Sequence, residues 1–232
     1  MKAYNVIYAS CKGQKEDYPY QDFIKVVETD AYLLAALADG LGSSKQSSRG
    51  ACLICDVLAD LFAKYDRETS SVANVFQNAI EEWYKRLEQK GVNSKECLTT
   101  SSALFVDKLS SKAIFGHIGD SLIVYRKGKE TIHSLSEEKD FLNETDCIGP
   151  SKHPQYRIEE VEMDSTLDFI IASDGFGDEL IKEKTDLLFD YFIEKYSRAR
   201  PKKRNATLKK ELAATMQNKN NDDKSVIFGW IQ

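Results

Sequence analysis

Residues 32–62 read YLLAALADGLGSSKQSSRGACLICDVLADLF. The apolar run Ala31–Ala38 predicts a buried strand, and the turn chemistry that begins at Asp39-Gly40 ends that strand. Beyond the turn, four apolar residues recur at helical spacing: Cys55, Leu58, Ala59 and Phe62. They predict a core helix that begins near Ser47 or Ser48, either of which can cap it. The stretch therefore predicts a strand that ends at a carboxylate and leads into a core helix.

The segments around this stretch extend the pattern in both directions. Before it, Tyr4–Ala9 and Phe23–Val27 are rich in β-branched and aromatic residues and predict two strands. After it, the helical period of Val72–Leu87 predicts a second core helix. Four short apolar runs separated by polar turns then predict an antiparallel meander: Ala103–Val106, Ala113–Ile118, Leu122–Tyr125 and Thr131–Leu135.

The C-terminal part begins with a polar segment, Ser136–Gln155, which predicts a long surface loop. Strands are predicted at Tyr156–Met163 and Leu167–Ala172. Three helices and a last strand follow at Asp178–Ile181, Asp186–Tyr196, Thr207–Met216 and Ser225–Ile231. Runs of strands separated from runs of helices, without regular β-α-β alternation, predict an α+β fold of antiparallel sheets packed between helices. No repeat or linker divides the chain, so we expect residues 1–232 to form a single domain.

The composition excludes several classes of protein. Of the 232 residues, 42% are hydrophobic and 30% charged, which is typical of a soluble globular chain. The net charge of −5 argues against attraction of the whole protein to nucleic acid or to an anionic membrane, and no apolar run approaches the ~18 residues of a membrane span. The cysteine count of five is odd and the first residues lack a signal-peptide layout. We therefore expect reduced thiols, a cytoplasmic location and a monomer.

Several aspartates stand at the ends of apolar strands, most of them beside a small residue. They are Asp22, Asp39, Asp120, Asp174 and Asp222. One Asp-Gly alone is most simply a turn, but several carboxylates held at strand ends can converge on one cation. Oxygen ligands suit hard divalent ions, and the cysteine and histidine spacings of a zinc site are absent. The residues therefore predict a magnesium or manganese site.

Six motifs, in this order along nearly the whole chain, resemble those of the metal-dependent protein phosphatases, the type-2C serine/threonine phosphatases, in a compact bacterial form. They are Gln21-Asp22, residues 38–45 with Ser48–Ala51, Thr99-Thr100, Ile118–Ser121, Ala172–Gly175 with Asp178, and Asp222–Ser225. The resemblance implies an α-β-β-α sandwich of two packed antiparallel sheets flanked by helices. It also implies a binuclear metal centre at one end of the paired sheets.

The resemblance further implies the residues and the reaction of that centre. Two Mn²⁺ or Mg²⁺ ions would be bound or oriented by Asp22, Asp39, the Gly40 carbonyl, Asp174 and Asp222, and Asp120 would support the third ion found in some bacterial members. The ions would activate a bridging water that hydrolyses phosphoserine or phosphothreonine. The partners implied are a phosphorylated protein substrate and a cognate serine/threonine kinase. The alternative is a silent phosphoprotein-binding regulatory domain of the same fold, which would have no need for clustered carboxylates that are costly to desolvate.

The chain departs from the family pattern at three places. Leu41 stands where eukaryotic members carry a histidine thought to protonate the leaving group. Lys12 and Lys15 are the only cations where many members have an arginine that grips the substrate phosphate. Asp223 replaces a frequent asparagine, so either Asp222 or Asp223 could be the ligand, and the spacing Asp-x-x-Ser favours Asp222.

Two other features have open interpretations. His117 on an apolar strand is predicted to be a packed histidine, with a catalytic acid as the minor alternative. The run Arg198–Lys210 holds seven basic residues and predicts either a solvated surface or a docking surface for an acidic partner.

Overall fold

A computed structural model describes residues 2–13, 19–129, 132–135, 146–149, 154–178, 180, 182–215 and 222–232. Within them, ten strands form two antiparallel five-stranded sheets. The first sheet has the spatial order β1 (Tyr4–Cys11), β10 (Lys224–Ile231), β9 (Leu167–Ala172), β6 (Leu122–Lys127) and β7 (His133–Ser134). The second has the order β2 (Phe23–Glu28), β3 (Tyr32–Ala38), β4 (Ser101–Asp107), β5 (Lys112–Ile118) and β8 (Arg157–Glu162).

Helices cover the outer face of each sheet. The described helices are α1 (Ser47–Phe62), α2 (Val72–Gln89), α3 (Asp174–Gly177), α4 (Thr185–Ser197) and α5 (Pro201–Thr215). Helices α1 and α2 share a core with the second sheet, whereas α4 and α5 share one with the first. A third core lies between the sheets. The predicted α-β-β-α sandwich is therefore confirmed.

Strand β3 explains why the apolar run of the opening stretch does not alternate with polar residues. Leu33, Ala35 and Leu37 face the other sheet, and Leu34, Ala36 and Ala38 face α1. A strand that is covered on both faces carries apolar residues throughout. On its outer side, Phe62 of α1 stacks on Phe105 of β4 with 4.2 Å between ring centroids.

The predicted antiparallel meander is wrong. β4 pairs with β5 in the second sheet, but β6 belongs to the first sheet, where it pairs with β7 and β9. The chain changes sheets at Gly119, whose φ of +108° is in the region that favours glycine. A Cβ at Gly119 would lie 2.5 Å from Cγ2 of Thr100. Strand periodicity does not reveal a strand's partner, so a short polar turn between sheets looked like a hairpin.

Three local predictions also need correction. The N-cap of α1 is Gln46, without a side-chain hydrogen bond, and the Ser47 hydroxyl instead accepts a hydrogen bond from Gln21 Nε2. The short helix expected at Asp178–Ile181 lies earlier, at α3, and α5 begins six residues before the predicted Thr207. Most of the predicted loop Ser136–Gln155 lies outside the described residues, as do residues 179 and 181.

All five cysteines are free thiols in the structure. Among the helices of the described ranges, none is both long and apolar enough to cross a membrane.

Candidate metal centre

The strand ends that carry the predicted aspartates meet at one end of the two sheets. β2 begins just after Asp22, and β3 ends just before Asp39. Phe23 pairs with Ala38, so the start of β2 lies beside the end of β3. In the other sheet, the end of β9 pairs with the starts of β6 and β10, so that Ala172 faces both Leu122 and Val226. Antiparallel pairing thus brings residues distant in sequence to one rim.

A cavity of about 210 Å³ opens at this rim, and four of the five predicted aspartates line it. The lining residues are Gln21, Asp39, Gly40, Leu41, Gly42, Thr100, Asp120, Asp174 and Asp222. Asp22 is not among them, because its side chain is buried behind the cavity with 3% exposure. The structure therefore places Asp39, Gly40, Asp120, Asp174 and Asp222 around one space.

The backbone of Asp39 is held from both sides by the two threonines that precede β4. Its carbonyl oxygen accepts hydrogen bonds from the Thr100 amide at 2.8 Å and the Thr99 hydroxyl at 2.9 Å. Its amide donates to Thr100 Oγ1 at 3.0 Å, and that oxygen also contacts Ser121 Oγ at 3.1 Å. Thr100 thereby links Asp39 to the residue that follows Asp120. In the sequence the two threonines were recognised only as a motif, and nothing there indicated that they hold the backbone of Asp39.

Gly40 allows the end of β3 to approach the start of α1. A Cβ at this position would lie 2.7 Å from both the carbonyl carbon and the Cβ of Ser47. Because real Cβ atoms do not come so close to backbone, any side chain at residue 40 would push Asp39 away from the helix.

Asp222 and Asp223 have different partners in the structure. Both carboxylate oxygens of Asp223 accept backbone amides, from Gly13 and from Gln21, each at 2.7 Å. Asp222 lines the cavity and accepts the Asp223 amide at 3.1 Å. Asp223 therefore joins two loops, whereas Asp222 lines the cavity.

Burial and nearby negative charge raise the pKa values of three aspartates at this rim, Asp22, Asp39 and Asp174. Burial raises the pKa of Asp22 to about 7, and neither of its oxygens has a hydrogen-bond partner of normal geometry, although the nearby hydroxyls of Ser173 and Ser225 offset part of the rise. Burial, and then the charges of Asp22 and Asp174, hold the pKa of Asp39 well above its usual range. Burial and the charges of Asp120 and Asp222 raise the pKa of Asp174.

These carboxylates suit a hard divalent cation in donor chemistry. The cavity offers several carboxylates and no nitrogen or sulfur ligand from histidine or cysteine, and a bound cation would relieve the repulsion that raises their pKa values. The two buried carboxylate oxygens of Asp22, which lack a hydrogen-bond partner, would also be stabilised by a nearby cation. No three His, Cys, Asp or Glu side chains of the described ranges are arranged as a ready-made metal cage. The fit is therefore one of ligand type and charge.

A family model described as protein phosphatase 2C matches residues 12–213. The chain belongs to the protein phosphatase 2C family. None of the curated proteins matches it significantly.

Three solved structures share the fold over nearly their whole length. The S. agalactiae serine/threonine phosphatase is 18% identical, with a TM-score of 0.67 and coverage of 98% of this chain and 99% of that one. The catalytic domain of the serine/threonine phosphatase PstP, in complex with two manganese ions, is 15% identical, with a TM-score of 0.68 and coverage of 100% and 99%. RsbX in complex with magnesium is 14% identical, with a TM-score of 0.65 and coverage of 99% and 96%. At these identities the similarity shows the fold.

Apart from Leu41, the remaining predicted residues of this phosphatase 2C chain either do not line the cavity or lie outside the described ranges. Lys12 is exposed and lines a different groove, and Lys15 lies outside the described residues. Leu41 does line the cavity, and none of the lining residues is a histidine. His117 is a packed histidine, as predicted: its Nδ1 is 2.8 Å from Ser102 Oγ, and burial lowers its pKa to about 4.

Proposed function

We propose that this member of the protein phosphatase 2C family is a metal-dependent phosphoprotein phosphatase that hydrolyses phosphoserine and phosphothreonine. The observation that carries the proposal is the cavity lined by Asp39, Asp120, Asp174 and Asp222 at one end of the paired sheets. A silent binding domain would gain nothing from four clustered carboxylates whose burial and charge raise the pKa values of Asp39 and Asp174. Residues 1–232 would form one catalytic domain that acts as a monomer on the product of a serine/threonine kinase.

In this proposal each residue of the rim has a role. Asp39, Asp174, Asp222 and the Gly40 carbonyl hold two Mn²⁺ or Mg²⁺ ions, and Asp120 supports a third. Asp22 orients the site from its buried position behind Asp39. When bound, such ions would supply a water activated for attack at phosphorus and would neutralise the phosphoryl oxygens.

The residues of the chain also determine how the leaving group is protonated. Leu41 cannot donate a proton, and His117 is buried and neutral and does not itself line the cavity. The serine or threonine oxygen therefore depends on solvent for its proton. We expect substrates with a stable leaving group, such as aryl phosphates, to react faster than seryl phosphates.

The test is hydrolysis of a phosphoserine peptide with manganese, with magnesium and with a chelator. We expect activity only with metal, and we expect Asp39→Asn and Asp174→Asn to lose most of it without loss of the fold, because each removes a ligand charge and not a core group. Thermal unfolding of the variants in chelator serves as the control for folding. Wild-type turnover by either variant at saturating manganese would contradict the assignment of the site, and absence of turnover by the wild type would support the silent domain.

A further inference from the structure

A second groove, of about 500 Å³, lies between the end of β1 and helix α5. Tyr8, Lys12 and Tyr20 line one side of it, and Asn205 and Lys209 of α5 line the other. None of these residues belongs to the carboxylate-lined cavity. The groove is therefore a separate feature of the surface.

The walls of the groove are fixed by regular structure. β1 is an edge strand of the first sheet, and its Tyr8 amide donates to Asn205 Oδ1 at 3.2 Å instead of to another strand. Leu208 and Leu212 anchor α5 in the core, each with 2% exposure. A groove between a sheet edge and an anchored helix presents its side chains in a stable arrangement.

The groove and its helix carry an excess of positive charge. Four exposed lysines lie on α5: Lys202, Lys203, Lys209 and Lys210. Neither they nor Lys12 forms an ion pair within the described part of the chain. The one acidic residue of α5, Glu211, is already bonded to Lys195 and Tyr196. In a chain with a net charge of −5, this local field favours an anionic ligand at close range.

The groove lies directly beside the candidate metal centre. Tyr20 lines the groove and its neighbour Gln21 lines the cavity, so one peptide unit, about 3.8 Å between Cα atoms, separates the two walls. The boundary is held by Asp223, which accepts the amides of Gly13 and Gln21, and by a 2.8 Å hydrogen bond between Tyr20 Oη and Ser225 Oγ. An extended peptide with its phosphate in the cavity could reach the groove with its neighbouring residues.

We propose that this groove docks acidic residues that flank the phosphorylated serine or threonine of a protein substrate, an inference that rests on the proposed phosphatase function. Lys12 and Lys209 would pair with the carboxylates, and the half-exposed Tyr8 ring, with 39% exposure, would contact the apolar parts of the peptide. A peptide fits better than a nucleic acid because the groove is short and the chain as a whole repels a long polyanion.

The experiment compares two phosphoserine peptides of equal length, one with aspartates on both sides of the phosphoserine and one with uncharged residues there. The variant is Lys209→Glu. The matched control is Lys64→Glu, which makes the same change in net charge at an exposed residue just after the end of α1, in the opposite helical layer. We expect Lys209→Glu to raise KM for the acidic peptide about five- to tenfold and to change KM for the neutral peptide less than about twofold. Lys64→Glu should leave both near the wild-type values. Equal effects on both peptides, or equal effects of the two variants, would overturn the proposal.

A binding measurement separates this inference from the proposed function. Fluorescence anisotropy with the acidic peptide, carrying serine instead of phosphoserine, is measured in chelator, where no hydrolysis is needed. Binding that weakens with Lys209→Glu and with added salt supports docking of acidic residues in the groove. If the wild type then hydrolyses neither phosphopeptide, only the proposed phosphatase function fails. Hydrolysis of both peptides without any preference for the acidic one would refute the groove alone. Tighter binding of a single-stranded oligonucleotide or a phosphatidylserine vesicle than of the peptide would also refute it.

Discussion

Replacement of Thr100 by valine tests whether the two threonines before β4 position the metal centre. Thr100 is buried with 2% exposure, and valine keeps its shape and its branch at Cβ. The change removes the acceptor of the Asp39 amide at 3.0 Å and the partner of Ser121 Oγ at 3.1 Å. A buried donor left without a partner costs about 1–3 kcal/mol, so we expect the free energy of unfolding in chelator to fall by about that amount.

The same change should weaken the function of the site through Asp39. The Thr100 amide and the Thr99 hydroxyl still hold the Asp39 carbonyl oxygen, so Asp39 loses only one side of its support. A displacement of a reacting group by 1 Å can cost about 10²-fold in rate, and we expect a loss of kcat between roughly tenfold and that limit. The manganese concentration for half-maximal activity should rise as well.

Thr99→Val is the matched control, because it removes the same kind of atom from the neighbouring residue. Its hydroxyl donates to the Asp39 carbonyl, which keeps the Thr100 amide as a second donor. We therefore expect Thr99→Val to lower the unfolding free energy by about 1 kcal/mol or less, with a smaller effect on kcat. The assays are urea unfolding in chelator and phosphopeptide hydrolysis across a manganese titration. Equal effects of the two variants, or a Thr100→Val protein with wild-type stability and metal dependence, would refute the reasoning.

Three further predictions concern the same site. Burial raises the pKa of Asp22 to about 7, whereas an aspartate in the unfolded chain has a pKa near 3.9. The free energy of unfolding of the metal-free protein should therefore fall as the pH rises from about 4 to about 7. Urea unfolding in chelator should show this fall, and Asp22→Asn should reduce it. Manganese at about 100 times its Kd should raise Tm by roughly 5–10 °C, and an unchanged Tm in a thermal scan would count against the site. Leu41→His should raise kcat for a seryl phosphate a few-fold, well below the ~10²–10⁴-fold effect of a well-placed general acid. It should raise kcat for an aryl phosphate less. Equal gains for both substrates would show that protonation of the leaving group does not limit the reaction.

The sequence predicted the features that depend on local pattern. The apolar runs located most of the strands, because a strand buried on one or both faces shows its burial in its own residues. The carboxylates at strand ends identified four residues of the cavity without reference to any partner strand. In this chain, the charged residues next to buried apolar strands are therefore the part of the site that the sequence predicted best.

Features that depend on contacts between distant segments were not predictable in this way. The spacing favoured Asp222 over Asp223 as the ligand, but it did not predict that the Asp223 carboxylate accepts hydrogen bonds from two backbone amides. The sequence grouped Asp22 with the other aspartates, and it did not predict that its side chain is buried with 3% exposure and does not line the cavity. The Ser47 hydroxyl was predicted to cap α1, but it accepts a hydrogen bond from the side chain of Gln21, a residue of another loop.

The change of sheet at Gly119, which the sequence presented as a hairpin, has a direct consequence for the site. Asp39 follows a strand of the second sheet, Asp174 and Asp222 adjoin strands of the first, and Asp120 lies on the connection between them. A continuous meander would have kept Asp120 within one sheet, whereas the crossing places it where both sheets end. Thr100, just before β4 of the second sheet, also contacts Ser121, just before β6 of the first, so the cavity depends on the packing of the two sheets. Loss of packing between the sheets, for example at Leu37 or Ile171, should therefore separate the carboxylates while the strands within each sheet remain paired.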